Sequence, residues 1–184
     1  KAVSAESKSE NGFWYGTFVT PEVIMYNNRL VSEADAPKDW DDLLDPRWKD
    51  KIIVRYPLAS GTMRIIFSSL IQREQLRTGN AESGFDWLRK LDANTKTYAA
   101  EPTQLYLKIA REEGLVTLWN LPDVMMQAKT NGYPFGFTIP KSGTPLITDC
   151  IAVVKGTKNR EDAEAFYEFV TSKEAMVQQA NEFF

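Results

Sequence analysis

The sequence predicts an α/β fold, and two patterns carry that prediction. Four short apolar runs rich in Val and Ile are bounded by polar turns: residues 21–28 (PEVIMYNN), 51–56 (KIIVRY), 114–120 (GLVTLWN) and 149–156 (DCIAVVKG). Because these runs lack strict alternation, they predict strands buried on both faces, as in a mainly parallel sheet covered by helices. The segments between the runs carry helical periodicity, and strands that alternate with helices define the α/β class.

The first predicted helix follows residues 57–62. Its apolar positions obey the i, i+3, i+4, i+7 spacing of an amphipathic helix; they are Met63, Ile66, Phe67 and Leu70. Gly79 predicts the end of this helix, because glycine readily adopts the left-handed conformation that terminates many helices.

Three further helices are predicted from the same spacing. One covers residues 85–91 through Phe85, Leu88 and Leu91, and the next runs from Pro102 in its first turn towards Gly114 through Leu105, Tyr106 and Ile109. The last has the stripe Ala163, Phe166, Tyr167 and Val170, with Asn159 predicted as its N-cap.

Composition narrows the function classes. The 184 residues have 43% hydrophobic and 26% charged side chains, an ordinary mix for a globular chain. The net charge is −3 and the basic residues are dispersed, so no nucleic-acid partner is expected. Cys150 is the only cysteine, which excludes an internal disulfide and a cysteine metal cluster. No apolar run reaches the roughly 18 residues of a membrane span.

The chain contains no histidine. Histidine is the side chain that most often transfers protons near neutral pH and completes hydrolase triads. No nucleophile paired with a base is evident either. The sequence therefore predicts a binding protein rather than an enzyme, with no catalytic residues, no cofactor and no metal site.

The first candidate binding site is Ser60-Gly61-Thr62, at the start of the first predicted helix. Backbone N–H groups at a helix start lack partners and carry the positive end of the helix dipole, so they can hold an anion. The same residues also fit an ordinary N-cap. A nucleotide P-loop is excluded, because no GxxxxGK[ST] motif exists and Met63 stands where its lysine would be.

Four weaker candidates lie near two other strand ends. Trp119 and Asn120 finish the run 114–120, and ligands of open α/β sheets collect beyond the carboxyl ends of strands. A core tryptophan followed by a turn-forming asparagine explains them equally well. Thr103 and Gln104 begin another helix, where capping is the alternative to ligand contact.

Two connecting stretches divide the chain. Residues 31–42 and 140–149 are rich in Pro, Gly, Ser and Asp, and the segment between them has the size of a domain. This layout predicts one lobe inserted into another: residues 1–36 form a first-lobe remnant and crossing strand, 37–140 a second α/β lobe, and 141–184 the return crossing with the C-terminal strand and helices.

Together these segments resemble type II periplasmic solute-binding proteins of ABC importers. VIMYNNRLV with APKDWDDLLDPRWKDKI resembles the crossing into the second lobe, and CIAVVKGTKNREDAEAFYEFVTSKEA resembles the return strand and the helix after it. PLASGT stands where the branch near ferric-iron and phosphonate binders carries its anion-holding loop. The similarity runs from about Gly16 to Ala180.

The resemblance implies a complete second lobe plus a remnant of the first, so the chain is expected to be a C-terminal portion. It implies capture of a small anionic solute in a cleft between lobes, closure about two hinge crossings, and delivery to a membrane permease. The location would be periplasmic or extracellular. The uncovered first-lobe strands at 21–28 and 149–155 predict self-association.

Two alternative functions remain: a ferric-iron binder of the same family, and a ligand-sensing effector domain or enzyme on the same fold. Ferric-iron members of the family carry adjacent tyrosines where this chain has Trp119 and Asn120, and Asp123 is the only anionic oxygen ligand in that segment. The same fold also occurs in ligand-sensing effector domains and in some enzymes, and fold alone does not choose between them. The ligand itself could be a phosphonate, phosphate ester, carboxylate, polyamine or metal–anion pair.

Overall fold

The computed structural model describes residues 7–183 of the chain. They form two compact units, one of residues 21–145 and one of residues 7–20 with 146–183. The strands are β1 (Tyr15–Asn27), β2 (Ile52–Arg55), β3 (Thr95–Ala99), β4 (Val116–Asn120), β5 (Phe135–Thr138) and β6 (Leu146–Ile151). The α-helices are α1 (Gly61–Thr78), α2 (Glu82–Asn94), α3 (Pro102–Ala110), α4 (Leu121–Asn131), α5 (Arg160–Val170) and α6 (Lys173–Phe183). The α/β prediction is confirmed.

The larger unit is built on a sheet with strand order β3-β2-β4-β1-β5. Strand β2 runs parallel to β3 and β4, whereas β1 runs antiparallel to β4 and β5. The sheet is therefore mixed rather than mainly parallel. Burial on both faces produces the same apolar run in either strand direction, so the run at 21–28 carried no information about its orientation.

The centre of this sheet forms the core, as the continuous apolar runs predict. Val23, Ile24 and Met25 of β1 and Ile52–Val54 of β2 are fully buried. Each fully buried aliphatic side chain of this size stabilises the fold by about 1.5–3 kcal/mol relative to an exposed one. The rigid centre holds the strand ends, and the loops that follow them, in fixed positions.

Helix α1 agrees with the prediction at both ends. Met63, Ile66 and Leu70 are buried, while Phe67 is partly buried against the same core. Gly79 follows the helix with φ of 77°, a left-handed conformation that most residues avoid. Helix α3 also begins at Pro102 as predicted and buries its three expected side chains, Leu105, Tyr106 and Ile109.

Helix α2 forms where expected and buries Leu91 fully and Leu88 partly, as predicted, but Trp87 rather than Phe85 completes its buried face. Phe85 is 45% exposed, whereas Trp87 is 4% exposed and lies in the core. The reason is a close contact with α1: a Cβ added at Gly84 would lie 2.5 Å from Ile71 Cα. Gly84 must therefore face α1, and this orientation turns Phe85 outward.

Replacing Gly84 with alanine is expected to destabilise the protein by about 1–3 kcal/mol, since the two helices would have to separate. Urea unfolding followed by circular dichroism measures this change. Gly61→Ala is the control, because a Cβ at Gly61 would meet no atom within 4 Å. Equal stability of the two variants would contradict the close packing of α1 on α2.

Several elements were absent from the sequence prediction or displaced. Strands β3 and β5 are short and partly exposed, and α4 follows β4 without an intervening loop, so none has a distinct apolar signal. Strand β1 begins at Tyr15, earlier than predicted, and β6 ends at Ile151, before the predicted end of its run.

The two connecting stretches are bonded to each other within the larger unit. The backbone N–H of Lys141 donates to the carbonyl of Lys38 at 3.2 Å, and the hydroxyl of Ser142 donates to Asp39 Oδ1 at 2.5 Å. The Trp40 indole N–H donates to the Gly143 carbonyl at 2.9 Å. These bonds hold the stretch around residue 39 against the stretch around residue 142.

The smaller unit pairs β6 with the first part of β1. Thr20 donates to the Asp149 carboxylate at 2.9 Å, and the Tyr15 ring lies 5.4 Å from that of Tyr167 in α5. Asn159 is the N-cap residue of α5, as predicted, but its side chain makes no capping hydrogen bond. Among the described residues, no helix is both long and apolar enough to cross a membrane.

Candidate ligand-binding site

The seven predicted site residues lie at the starts of three helices. Because β2, β3 and β4 are parallel, their carboxyl ends meet at one edge of the sheet, and α1, α3 and α4 begin just beyond it. The structure thus brings to one edge Ser60, Gly61 and Thr62 of the first helix start, Thr103 and Gln104 of the second, and Trp119 and Asn120 of the third. Ligands of open α/β sheets commonly bind at this edge.

Ser60 is the N-cap of α1. Its hydroxyl oxygen accepts a hydrogen bond from the Met63 N–H at 3.2 Å, and the residue is 7% exposed. The N–H groups of Gly61 and Thr62 have no partner among the described residues, nor does the Thr62 hydroxyl. The cap satisfies one donor of the helix start and leaves two amides open.

The start of α1 is accessible at Gly61. Gly61 is exposed, and a Cβ placed on it would meet no atom within 4 Å. An aligned α-helix carries about half a positive charge at its N-terminus, which favours an anion at this position. The start of α1 therefore combines exposed donors, positive potential and room for a ligand.

The start of α3 is not capped by a side chain. Glu101 is its N-cap but makes no side-chain capping bond, and Thr103 and Gln104 are both exposed. Gln104 Oε1 accepts from the Ala100 N–H at 3.2 Å, so this amide already closes a local turn. Ligand contact by Thr103 or Gln104 stays a prediction.

The start of α4 is occupied by a polar network centred on Asp123. Its Oδ2 accepts from Tyr106 Oη at 2.7 Å, Trp119 Nε1 at 2.9 Å and Asn120 Nδ2 at 3.0 Å. Asn120 Oδ1 in turn accepts from the Asp123 N–H at 2.9 Å, which caps the helix. The polar groups of Trp119 and Asn120 are therefore engaged inside the protein, and their contact with a ligand stays a prediction.

This network also determines the protonation of Tyr106. Burial of the ring raises the pKa of its hydroxyl well above the ordinary value, and the hydrogen bond to the negative Asp123 raises it further. The phenol accordingly stays neutral at physiological pH. It serves as a hydrogen-bond donor and not as a tyrosinate.

Arg55, the last residue of β2, is a buried charged residue near this edge that the sequence prediction did not single out. It is 5% exposed; its Nη1 donates to the Ala99 carbonyl at 3.2 Å and its Nη2 to the Ala59 carbonyl at 3.3 Å. Its Nε is buried without a partner. No carboxylate of residues 7–183 forms an ion pair with this guanidinium.

A buried, unpaired guanidinium is rare because removing a charge from water is costly. The signal in the sequence was a single charged residue at the end of the apolar run KIIVRY, directly before PLASGT. The Asp123 network carried no such signal, since its members come from α3, β4 and α4.

The arrangement defines a class of protein. A mixed sheet with an open carboxyl edge, donors at a helix start and two paired connecting stretches are features of the type II periplasmic binding-protein fold. A solved structure of the periplasmic binding protein P5PA matches with a TM-score of 0.79 at 25% identity, covering 94% of this chain and 53% of that one.

The chain belongs to the family of bacterial extracellular solute-binding proteins, whose family model matches residues 1–184. Members of this family are solute-binding proteins and not enzymes. This result confirms the fold and the non-enzymatic class predicted from the sequence.

Three relatives illustrate the family. A probable ABC transporter periplasmic-binding protein of Sinorhizobium fredii is 23% identical, covering 100% of this chain and 51% of its own. The iron uptake protein A1 of Synechocystis is 26% identical, and the match covers 91% of this chain and 48% of that protein. A putative 2-aminoethylphosphonate-binding periplasmic protein of Salmonella typhimurium is 28% identical, and the match covers 83% of this chain and 44% of that protein. The chain spans about half the length of these relatives.

Proposed function

We propose that this chain belongs to the substrate-binding component of an ABC importer and that it captures a small anionic solute. The observation that carries the proposal is the pair of unpartnered amides at Gly61 and Thr62, on a helix start where Gly61 is exposed. They supply donors that are oriented before the ligand arrives, so little ordering is required on binding. The solute would then pass to a membrane permease on the extracytoplasmic side.

The fixed direction of the open amides favours a charged ligand. Ser60 is held by its bond to Met63, so the open amides of Gly61 and Thr62 keep a constant direction. Hydrogen bonds to a charged acceptor contribute more than bonds to a neutral one. A relative named for binding 2-aminoethylphosphonate supports an anion of the phosphonate type. Closure of a cleft about the connecting stretches remains a prediction from the family resemblance.

Iron is the second candidate, because one relative is named an iron uptake protein. Two features weigh against it. Asp123 Oδ2 already accepts three hydrogen bonds, one of them from Tyr106, whereas Fe(III) requires available anionic oxygen ligands. Residues 7–183 contain no group of three His, Cys, Asp or Glu side chains placed to hold a metal ion. A titration of the full-length protein with ferric citrate tests this alternative.

Two substitutions separate the cap from the anion site. Thr62→Val keeps the shape of the side chain but removes the hydroxyl donor, so we expect anion affinity to fall by about 1.5–3 kcal/mol without a change in stability. Ser60→Ala removes the cap of α1 and is expected to lower the free energy of unfolding by about 1 kcal/mol. Calorimetric titration of the full-length protein and urea unfolding measure the two effects.

Suitable titrants are inorganic phosphate, 2-aminoethylphosphonate, acetate and citrate. Thr130→Val is the matched control, since Thr130 is an exposed threonine near the end of α4, away from the helix starts. Unchanged affinity in Thr62→Val would contradict ligand contact by the Thr62 hydroxyl.

The strand at 21–28 pairs with β4 and β5 and is buried, so the prediction that it is uncovered is wrong. Self-association through β6 stays a proposal. Leu146 at the start of β6 is 63% exposed and Val154, just beyond its end, is 77% exposed. Apolar side chains on an exposed strand favour pairing with a second chain.

A further inference from the structure

We infer that Arg55 is a positioning residue that makes the start of α1 selective for a doubly charged phosphoryl or phosphonyl group over a singly charged anion. The inference deepens the proposed function and rests on it. Its starting point is the buried guanidinium, which has two carbonyl partners, an unpartnered Nε and no ion pair with any carboxylate of residues 7–183.

Arg55 controls the direction of the peptide that precedes the site. Its Nη2 holds the carbonyl of Ala59, while the N–H of the same peptide, on Ser60, donates to the Pro57 carbonyl at 3.3 Å. Both ends of the Ala59–Ser60 peptide are therefore fixed. Since the next two amides are those of Gly61 and Thr62, the guanidinium helps to set where they point.

The same guanidinium joins two of the helix starts. Its Nη1 donates to the Ala99 carbonyl at the end of β3, which also accepts from the Tyr56 N–H at 2.9 Å. Arg55 thereby connects the loop before α1 to the loop before α3. A substitution that removes the hydrogen bonds of Arg55 is expected to alter the spacing of both loops. A substitution that removes only its positive charge is expected to alter only the electrostatic potential at the site.

The charges near α1 favour a dianion. Arg55 contributes one positive charge and the start of α1 about half of another, and burial reduces the screening of the guanidinium by water. Three carboxylates belong to this edge, but none lies on β2 or α1: Glu22 is buried on β1, which β4 separates from β2, Asp123 is engaged in its own network, and Glu101 is exposed at the start of α3.

A carboxylate or sulfonate brings one negative charge, which leaves part of this potential unbalanced. A phosphoryl group carries about −1.5 to −2 at pH 7 and three acceptor oxygens, which suit several donors at once. We therefore expect the full-length protein to bind 2-aminoethylphosphonate more tightly than taurine, which has the same skeleton and a tetrahedral sulfonate of single charge.

The test compares these two probes by calorimetric titration at pH 7 in four full-length proteins: wild type, Arg55→Met, Arg55→Lys and Arg111→Gln. In Arg55→Met we expect 2-aminoethylphosphonate affinity to fall about ten- to hundredfold and taurine affinity much less, since the charged interaction is lost. Arg55→Lys keeps the charge without the fork of donors, so both affinities fall and the preference for the phosphonate persists.

Arg111→Gln is the control for net charge, because Arg111 follows the last residue of α3, at the opposite end from the site. It is expected to leave both affinities unchanged. Circular dichroism establishes that each variant is folded; should Arg55→Met fail to fold, the persistence of the preference in Arg55→Lys still decides the question.

Three results would overturn this inference alone. Equal loss of both affinities in Arg55→Met would show a purely structural role, and loss of the preference in Arg55→Lys would show that charge is not the cause. A wild-type protein that binds acetate or citrate but prefers no phosphonate would refute the dianion selectivity and leave the proposed function standing. A wild-type protein that binds none of the anions would refute both.

Discussion

Trp40→Ala is expected to lower the free energy of unfolding by about 3–5 kcal/mol, the largest effect of any single change considered for this chain. Trp40 is 2% exposed, and its ring belongs to the core of the larger unit. The substitution leaves a cavity of nearly a whole indole and removes the hydrogen bond to the Gly143 carbonyl. The two connecting stretches would lose one of their links.

Urea unfolding at equilibrium measures this loss, and Trp40→Phe divides it into parts. Phenylalanine retains most of the ring but not the N–H donor, so about 1 kcal/mol is expected from the missing hydrogen bond, in addition to a smaller cavity term. Leu76→Ala is the exposed control, because Leu76 is 81% exposed. A loss in Trp40→Ala no larger than in Leu76→Ala would contradict the buried position of Trp40.

Asp123→Ala is expected to cost about 2–4 kcal/mol of stability, because the buried Tyr106 hydroxyl loses its carboxylate acceptor and the Trp119 N–H keeps only Tyr106 Oη, at 2.9 Å. Tyr106 is 6% exposed and Trp119 is 4% exposed, so water has little access to replace the lost oxygen. The first turn of α4 also loses a negative charge that complements the helix dipole.

Trp119→Phe is the matched comparison for this network. It removes one donor to Asp123 and leaves Tyr106 bonded, so we expect a loss of about 1 kcal/mol. Thermal unfolding and urea titration of both variants measure the difference. If Asp123→Ala were to unfold within about 0.5 kcal/mol of the wild type, as ordinary surface substitutions do, the carboxylate would not be the centre of the network.

The sequence was most informative where burial repeats along the chain. The apolar faces of α1 and α3 were predicted correctly, because each buries side chains on one stripe at helical spacing. In α2 the same spacing selected Phe85, which is exposed. The face of that helix depends on Gly84, and the reason a glycine stands there is the nearby backbone of Ile71, which is remote in sequence.

The candidate site shows the same division. Ser60, Gly61 and Thr62 were predicted from local rules, since helix starts expose donors whatever surrounds them. Arg55 was not singled out, because its partners Ala59 and Ala99 come together only when β2 pairs with β3. Trp119 and Asn120 were predicted as ligand contacts without knowledge of the Asp123 carboxylate that engages them.

By itself, the sequence determined the α/β class, the cap of α1 and the helix start that offers free amides, because these features depend on residues close together in the chain. The tertiary structure alone decided the direction of β1, the face of α2 and the environment of Arg55. Each of these depends on contacts between segments far apart in sequence, and hydrophobic periodicity reports only that a side chain is buried, not which neighbour buries it.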